Sequence, residues 1–207
     1  MYIDRPLRDY LDDLASDAPT PGGGSASALT GAMAAALASM VCRLTLNKPK
    51  YANVAAEIET LVQRTEQVRT RFQQLVQEDI EAYGQLSASY KLPRNTEEER
   101  EARSQAIQKR LEMAARVPLE MVENAASLMV ACQRIAEIGN VNVLSDVVTA
   151  SILASASAEG AAVMVRINLR YLKNAELVAS LDERLQAALS QLEAGKGQVL
   201  ECVRGRV

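Results

Sequence analysis

The chain has 207 residues, enough for one domain with a full core, and its net charge of −3 offers no cationic footprint for nucleic acid. It contains no histidine, so a Ser-His-Asp triad, an imidazole acid or base and a His-ligated zinc are all excluded. With 3% aromatic residues, no Trp and a single Phe, any core must use Ala, Leu, Val, Ile and Met, which suits closely spaced helices better than sheets.

The opening "MYIDRPLRDYLDDL" carries acids where a secretory signal would be apolar, and it reads as a loop. Cys42, Cys132 and Cys202 are odd in number and far apart. That argues against a disulfide framework and for a reducing, cytoplasmic compartment. Residues 17 to 27, "DAPTPGGGSAS", then feed an almost unbroken apolar run from Ala28 to Cys42. The run from Ala26 approaches transmembrane length, but Ala, Ser, Gly and Thr dominate it, so a helix enclosed by other helices fits better than a bilayer span. Gly22, Gly23, Gly24 and Ser25 leave backbone N–H groups free at a helix start, where an anionic group or a flat ring can come close. The motif is neither a Walker loop nor a dinucleotide fingerprint. Lys48, Lys50 and Tyr51 follow the helix as a small donor group, a composition that serves a solvated interhelical loop equally well.

From Val54 the apolar positions run Val54, Ile58, Leu61, Thr65, Val68, Phe72 and Leu75, in steps of four and three. The next step lands on Asp79, and Ala82 and Leu86 continue the stripe. A carboxylate on a packing seam costs several kcal/mol unless it is paired or neutralised, so Asp79 is either a rim or helix-end residue or a functional one. A further helix opens near "RNTEEEREAR", with Asn95 or Thr96 as cap and glutamates in the first turn. Pro118 should kink or restart it, and Gly139 should stop it.

"NVNVLSD" then connects to a helix reaching about Leu172, with Ser145 or Asn142 available as cap. Asp146 lies in its first turn, where an acid commonly serves the helix dipole or a cap and only sometimes catalysis. The face it shares with Ala150, Leu153, Ser157, Gly160, Met164, Ile167 and Tyr171 is rich in small residues, so another helix or a flat ligand can approach closely. Ala175 to Val203 repeats Leu177, Leu181, Leu185, Ala188 and Leu192 as a closing amphipathic helix, weakened near its end by Gly195 and Gly197. No β segment is evident. The expected fold is all-α: a single domain over residues 1–207, an elongated bundle of five or six long helices.

Taken in order, "PTPGGGSASALTGAMAAALASMV", "KPKY", the Asp79 region with "YKLPRNTEEE", "VPLEMVENA", "GNVNVLSD" and "RINL" closely resemble the cyclodeaminase/cyclohydrolase family of tetrahydrofolate one-carbon enzymes. The resemblance covers nearly the whole chain. It implies a helical homodimer with folate in clefts near the subunit interface, no cofactor beyond the tetrahydrofolate substrate, no metal, and no membrane or nucleic-acid partner. The implied catalytic candidates are Asp79, Asp146 and Lys50. The implied substrate-binding candidates are Gly22, Gly23, Gly24, Ser25, Asn140 and Ser145, to which Tyr51 of the donor group and Asn142 of the connection are added. Family members often carry Asn where this chain has Met164, although Asn168 keeps the later amide.

The family's two reactions act on a one-carbon unit between two nitrogens of tetrahydrofolate. In the cyclohydrolase reaction water adds to the methenyl carbon of an amidinium cation, and the adduct opens to the formyl compound. A carboxylate can stabilise that cation, orient the water and accept its proton. Asp79 or Asp146 is the expected base, with Lys50 and Tyr51 as donors. A single helical domain with no formiminotransferase module favours the cyclohydrolase over the cyclodeaminase. A non-catalytic folate-binding helical protein is the remaining alternative.

Overall fold

Six helices make up the computed structural model, which describes residues 1–206: α1 (Leu7–Leu14), α2 (Gly23–Leu46), α3 (Ala55–Ser89), α4 (Glu97–Ile138), α5 (Leu144–Leu169) and α6 (Ala175–Val203). No strand occurs among the described residues. Two helix starts are written plainly in side chains. Thr96 and Glu99 form a reciprocal capping box ahead of Glu97, Glu98 and Glu99 in the first turn of α4. The Asn174 side chain accepts from the Leu177 N–H at 3.0 Å and opens α6.

Helices α2, α3, α4 and α5 each pack on the next around a closed square, and α6 lies outside against α4 and α5. The stripe on α3 is realised as expected, with Ile58, Leu61, Thr65, Val68, Phe72, Leu75 and Leu86 all buried. Small residues let α2 come close. A Cβ at Gly31 would overlap the fully buried Phe72 ring, so glycine there is what admits the chain's one Phe. Helix α5 runs antiparallel to α2: the Ser157 hydroxyl donates to the Ser27 carbonyl at 2.7 Å near one end, and the Asn140 N–H donates to Thr45 Oγ1 at 3.0 Å near the other.

The structure departs from the sequence expectations at four points. The N-terminal segment is not all loop, because α1 forms there and buries Tyr10. Neither Ser145 nor Asn142 caps α5; Val143 occupies the cap position without a side-chain bond, and Asn140 caps the short 3-10 turn before it. Helix α5 also stops at Leu169, short of Leu172, where Arg170 closes it. Finally, α4 is not restarted at Pro118 but runs unbroken through it. A proline lacks the N–H that would bond the carbonyl four residues earlier, here Ala114. The Asn168 side-chain amide supplies that bond from α5 at 2.8 Å, so the interruption is repaired from a neighbouring helix.

Two further features bear on function. Burial pushes the thiols of Cys42 and Cys132 up to about 12, so both are core fillers rather than nucleophiles. The outer faces of α2 and α5 form a side-by-side apolar surface carrying Met33, Met40, Leu44, Ile152, Val163 and Ile167, each 37–51% exposed. Both helices are long and apolar enough to cross a membrane by composition, yet half of each apolar window is buried inside the bundle.

Candidate active site

A cavity of about 220 Å³ opens where the N-terminus of α2 meets the C-terminal halves of α3 and α5 and the middle of α4. Three kinds of wall surround it. The backbone of Gly22, Gly23 and Gly24 forms one side. Tyr83, Leu86 and Met164 supply flat or apolar surface. Asp79 and Asn168 are its polar side chains, apart from the Thr20 hydroxyl and the Tyr83 phenol.

Asp79 reaches this position because the stripe on α3 carries it onto the seam with α2. A Cβ on Gly24 would overlap the Asp79 carboxylate, so the missing side chain is what lets acid and helix end meet. The Ser25 N–H donates to that carboxylate, satisfying one of the orphan donors of the α2 N-terminus. Burial nevertheless dominates and raises the Asp79 pKa to about 6, with the Ser25 amide pulling the other way. Both sequence readings of Asp79 therefore hold together: it bonds a helix end, and it is a carboxylate poised near neutrality beside a cavity.

Behind the loop, the Ser25 hydroxyl donates to the Gly22 carbonyl at 3.0 Å. Its oxygen lies 3.1 Å from the Tyr10 hydroxyl, which with the Ser25 proton already engaged is the donor of that pair. Tyr10 is the one buried residue of α1, so α1 serves as a brace for the glycine loop. Its phenol is pushed above the usual range by burial, with the nearby Asp79 charge adding to the effect.

The raised pKa of Asp79 has a consequence for stability. Its folded value of about 6 lies above the ordinary 3.8, so protonation favours the folded state. Stability from this group is fully present below the unfolded value and is lost as pH rises through about 6. Asp79→Asn keeps an acceptor for Ser25 without the buried charge. It is expected to stabilise the protein above pH 7 by about 2 kcal/mol, discounted for the carboxylate's partial exposure, with the gain vanishing below about pH 4. Thermal melts of both proteins across that range check this.

The remaining sequence candidates lie elsewhere. Lys50, Tyr51, Asn140 and Asn142 gather at the C-terminal end of α2, whose 24 residues span about 36 Å, and Ser145 and Asp146 lie in the adjoining first turn of α5, about 20 Å along the bundle from the glycine loop. Within one protomer they cannot reach the glycine cavity. Asn140 is buried and committed to structure: its Nδ2 donates to the Leu44 carbonyl at 3.3 Å, and its Oδ1 accepts from the Asn142 N–H at 3.1 Å. Tyr51 accepts from the Val141 N–H at 3.1 Å, and the Lys50 ammonium sits 5.7 Å from its ring centroid. Asn142 and Ser145 are exposed, and Asp146 is half-buried. Among the described residues no group of three His, Cys, Asp or Glu side chains gathers to hold a metal.

Two residues of the cavity and its support, Tyr83 and Tyr10, were not picked out from sequence, and Asn168 was noted only as a retained amide. Tyr83 follows Asp79 by four, one helical turn along the same face, and that spacing was available as a signal. Asn168 follows Met164 by the same step. Tyr10 offered no signal, because it sits among acids in a short segment.

The chain matches the profile of a family described as formiminotransferase-cyclodeaminase over residues 6–187. It is 37% identical over 201 residues to the methenyltetrahydrofolate cyclohydrolase of Methylorubrum extorquens, covering 97% of each chain. It is 31% identical to the formimidoyltransferase-cyclodeaminase of Sus scrofa, covering 99% of this chain but 38% of that protein's length. The crystal structure of formiminotetrahydrofolate cyclodeaminase from Thermotoga maritima superimposes with a TM-score of 0.90 at 31% identity, over 99% of this chain and 98% of the other.

Proposed function

The chain belongs to the formiminotransferase-cyclodeaminase family, and from that premise we propose that it is a methenyltetrahydrofolate cyclohydrolase, converting 5,10-methenyltetrahydrofolate to 10-formyltetrahydrofolate. It is an enzyme of tetrahydrofolate one-carbon metabolism. The observation that carries the reading is Asp79, a carboxylate at about 6 in a glycine-lined cavity of a protein with no imidazole. Above that pH it is mostly anionic. It then faces the methenyl cation as a counter-charge and accepts a proton from the attacking water. As the carbon–N5 bond of the adduct breaks, the same carboxyl returns a proton to N5, and the second proton of the water leaves to solvent. Tyr83, Leu86 and Met164 provide the flat apolar contact a pterin ring requires, and Gly23 and Gly24 let it approach the backbone.

The second reading, formiminotetrahydrofolate cyclodeaminase, is supported by the likeness to the Thermotoga maritima protein. That reaction also requires an acid for the departing ammonia. Assay with both substrates separates the two. Loss of methenyl absorbance on enzyme addition, with no ammonia from formiminotetrahydrofolate, is the expected result. Ammonia release without methenyl hydrolysis reverses the assignment.

The distant cluster acquires a role in a homodimer. Grouped exposed apolar side chains such as those on α2 and α5 mark interaction sites, and a two-fold pairing uses one self-complementary face. If the axis lies in that face and across α2, the helices pair antiparallel with opposed dipoles. Lys50, Asn142, Ser145 and Asp146 of one protomer then approach the glycine cavity of its partner. The active site is composite, with Asp79 as base and the partner's Lys50 and Asp146 at the opposite wall. The cytoplasm is the compartment that suits three free thiols.

A further inference from the structure

Asn168 is held in one orientation by two backbone carbonyls, one on α4 and one on its own helix α5. Its Nδ2 donates to Ala114 O at 2.8 Å and to Met164 O at 2.9 Å, which uses both amide hydrogens. The Ala114 carbonyl is available only because Pro118, four residues on, has no N–H to give it. Turning the amide over would set its oxygen against two carbonyl oxygens and leave the Ala114 carbonyl unpaired. The free position of the amide is therefore fixed as an acceptor. Oδ1 has no hydrogen-bond partner within the protein and is not among the buried polar atoms left unpaired, so it is open to solvent on a residue that lines the cavity.

Resting on the tetrahydrofolate reading above, we propose that Asn168 determines specificity by presenting Oδ1 as a fixed acceptor for an N–H of the substrate's reduced pterin ring. The cavity's polar features then divide by sense. Gly23 and Gly24 offer backbone donors, Asp79 offers a charge to the reacting carbon, and Asn168 offers an acceptor that cannot invert. A ring carrying only acceptors on that edge leaves Oδ1 dehydrated and unpaired, which is a strong basis for rejection. Met164 packs beside Gly23, so the neighbouring turn of α5 supplies hydrocarbon and the amide one turn on supplies the polar contact.

Removing Asn168 alone also strips the Ala114 carbonyl of its partner, so the test uses a background that repairs this. Pro118→Ala restores a backbone N–H to that carbonyl, and Asn168→Leu is then added to it. Relative to Pro118→Ala, the double variant is expected to melt within a few degrees, to raise KM for methenyltetrahydrofolate about 10-fold to 100-fold, and to change kcat little. The Kd for 6-methyltetrahydropterin, a ring with no glutamate tail, should weaken by the same factor. A KM and a Kd within twofold of the Pro118→Ala parent overturn the proposal. If methenyltetrahydrofolate is not turned over at all, the cyclohydrolase reading fails while the Kd comparison still decides the role of Asn168. An unmodified protein that binds no reduced pterin overturns both.

Discussion

Asp79→Asn is expected to lower kcat/KM for methenyltetrahydrofolate hydration about 10³-fold, the middle of the range for loss of a positioned acid–base group. Asn fits the same space beside Gly24 and still accepts from Ser25, so the variant should fold, and without the buried charge it is more stable above pH 7. Loss of turnover with gain of stability is a pattern a purely structural acid cannot produce. In the unmodified enzyme the same group sets the acid limb of the rate profile. Activity falls as pH drops through about 6, because protonation removes the base. The residual rate of the Asn variant should lack that limb. Steady-state rates from pH 5 to 8.5 on both proteins give the comparison.

The second expected result concerns the two ends of α2. Asp146→Asn should cripple turnover although Asp146 lies about 20 Å from the glycine loop of its own chain, being 11 residues before Ser157 on α5, which meets Ser27 of α2 near that loop. A hybrid dimer of one Asp79→Asn chain and one Asp146→Asn chain contains one site with both defects and one with neither. Purified with two tags, it should recover about half the unmodified rate from two nearly inactive parents, as expected for a two-fold with one intact site of two. If each site were built within one protomer, every site in the hybrid would carry a defect and no activity would return. Measuring the parents and the hybrid side by side distinguishes these outcomes.

Much of the site was legible because helical periodicity reports faces. The stripe from Val54 through Leu75 led directly to Asp79, and burial of its neighbours explains why that acid titrates near neutrality. The capping box at Thr96 and the start of α6 at Ala175 were equally readable, since each depends on side chains adjacent in sequence. What periodicity does not report is which end of a helix a residue occupies relative to another helix. Gly22 and Lys50 bracket α2, so its length already separated them, but grouping them by chemistry obscured that. Asn140 entered as a ligand contact through the family resemblance alone. The fold spends it on Leu44 and Asn142, a use visible only once α2 and α5 lie antiparallel. Pro118 was read as a break because its repair comes from Asn168, 50 residues away in sequence and adjacent only in the bundle. Tyr10 was missed because a single aromatic in an acidic segment has no pattern to belong to.

The account depends most on the burial of one carboxyl against the glycine loop, and the titration of Asp79 measures it directly. Carbon-13 labelling of aspartate, with Asp79→Asn used to assign the signal, follows that carboxyl through pH 3 to 9 in the free protein. A midpoint near 6 is the expected result. A midpoint near the ordinary value of about 3.9 would contradict the account, because it would mean that water reaches the carboxyl freely and that the cavity does nothing to ready it for proton transfer.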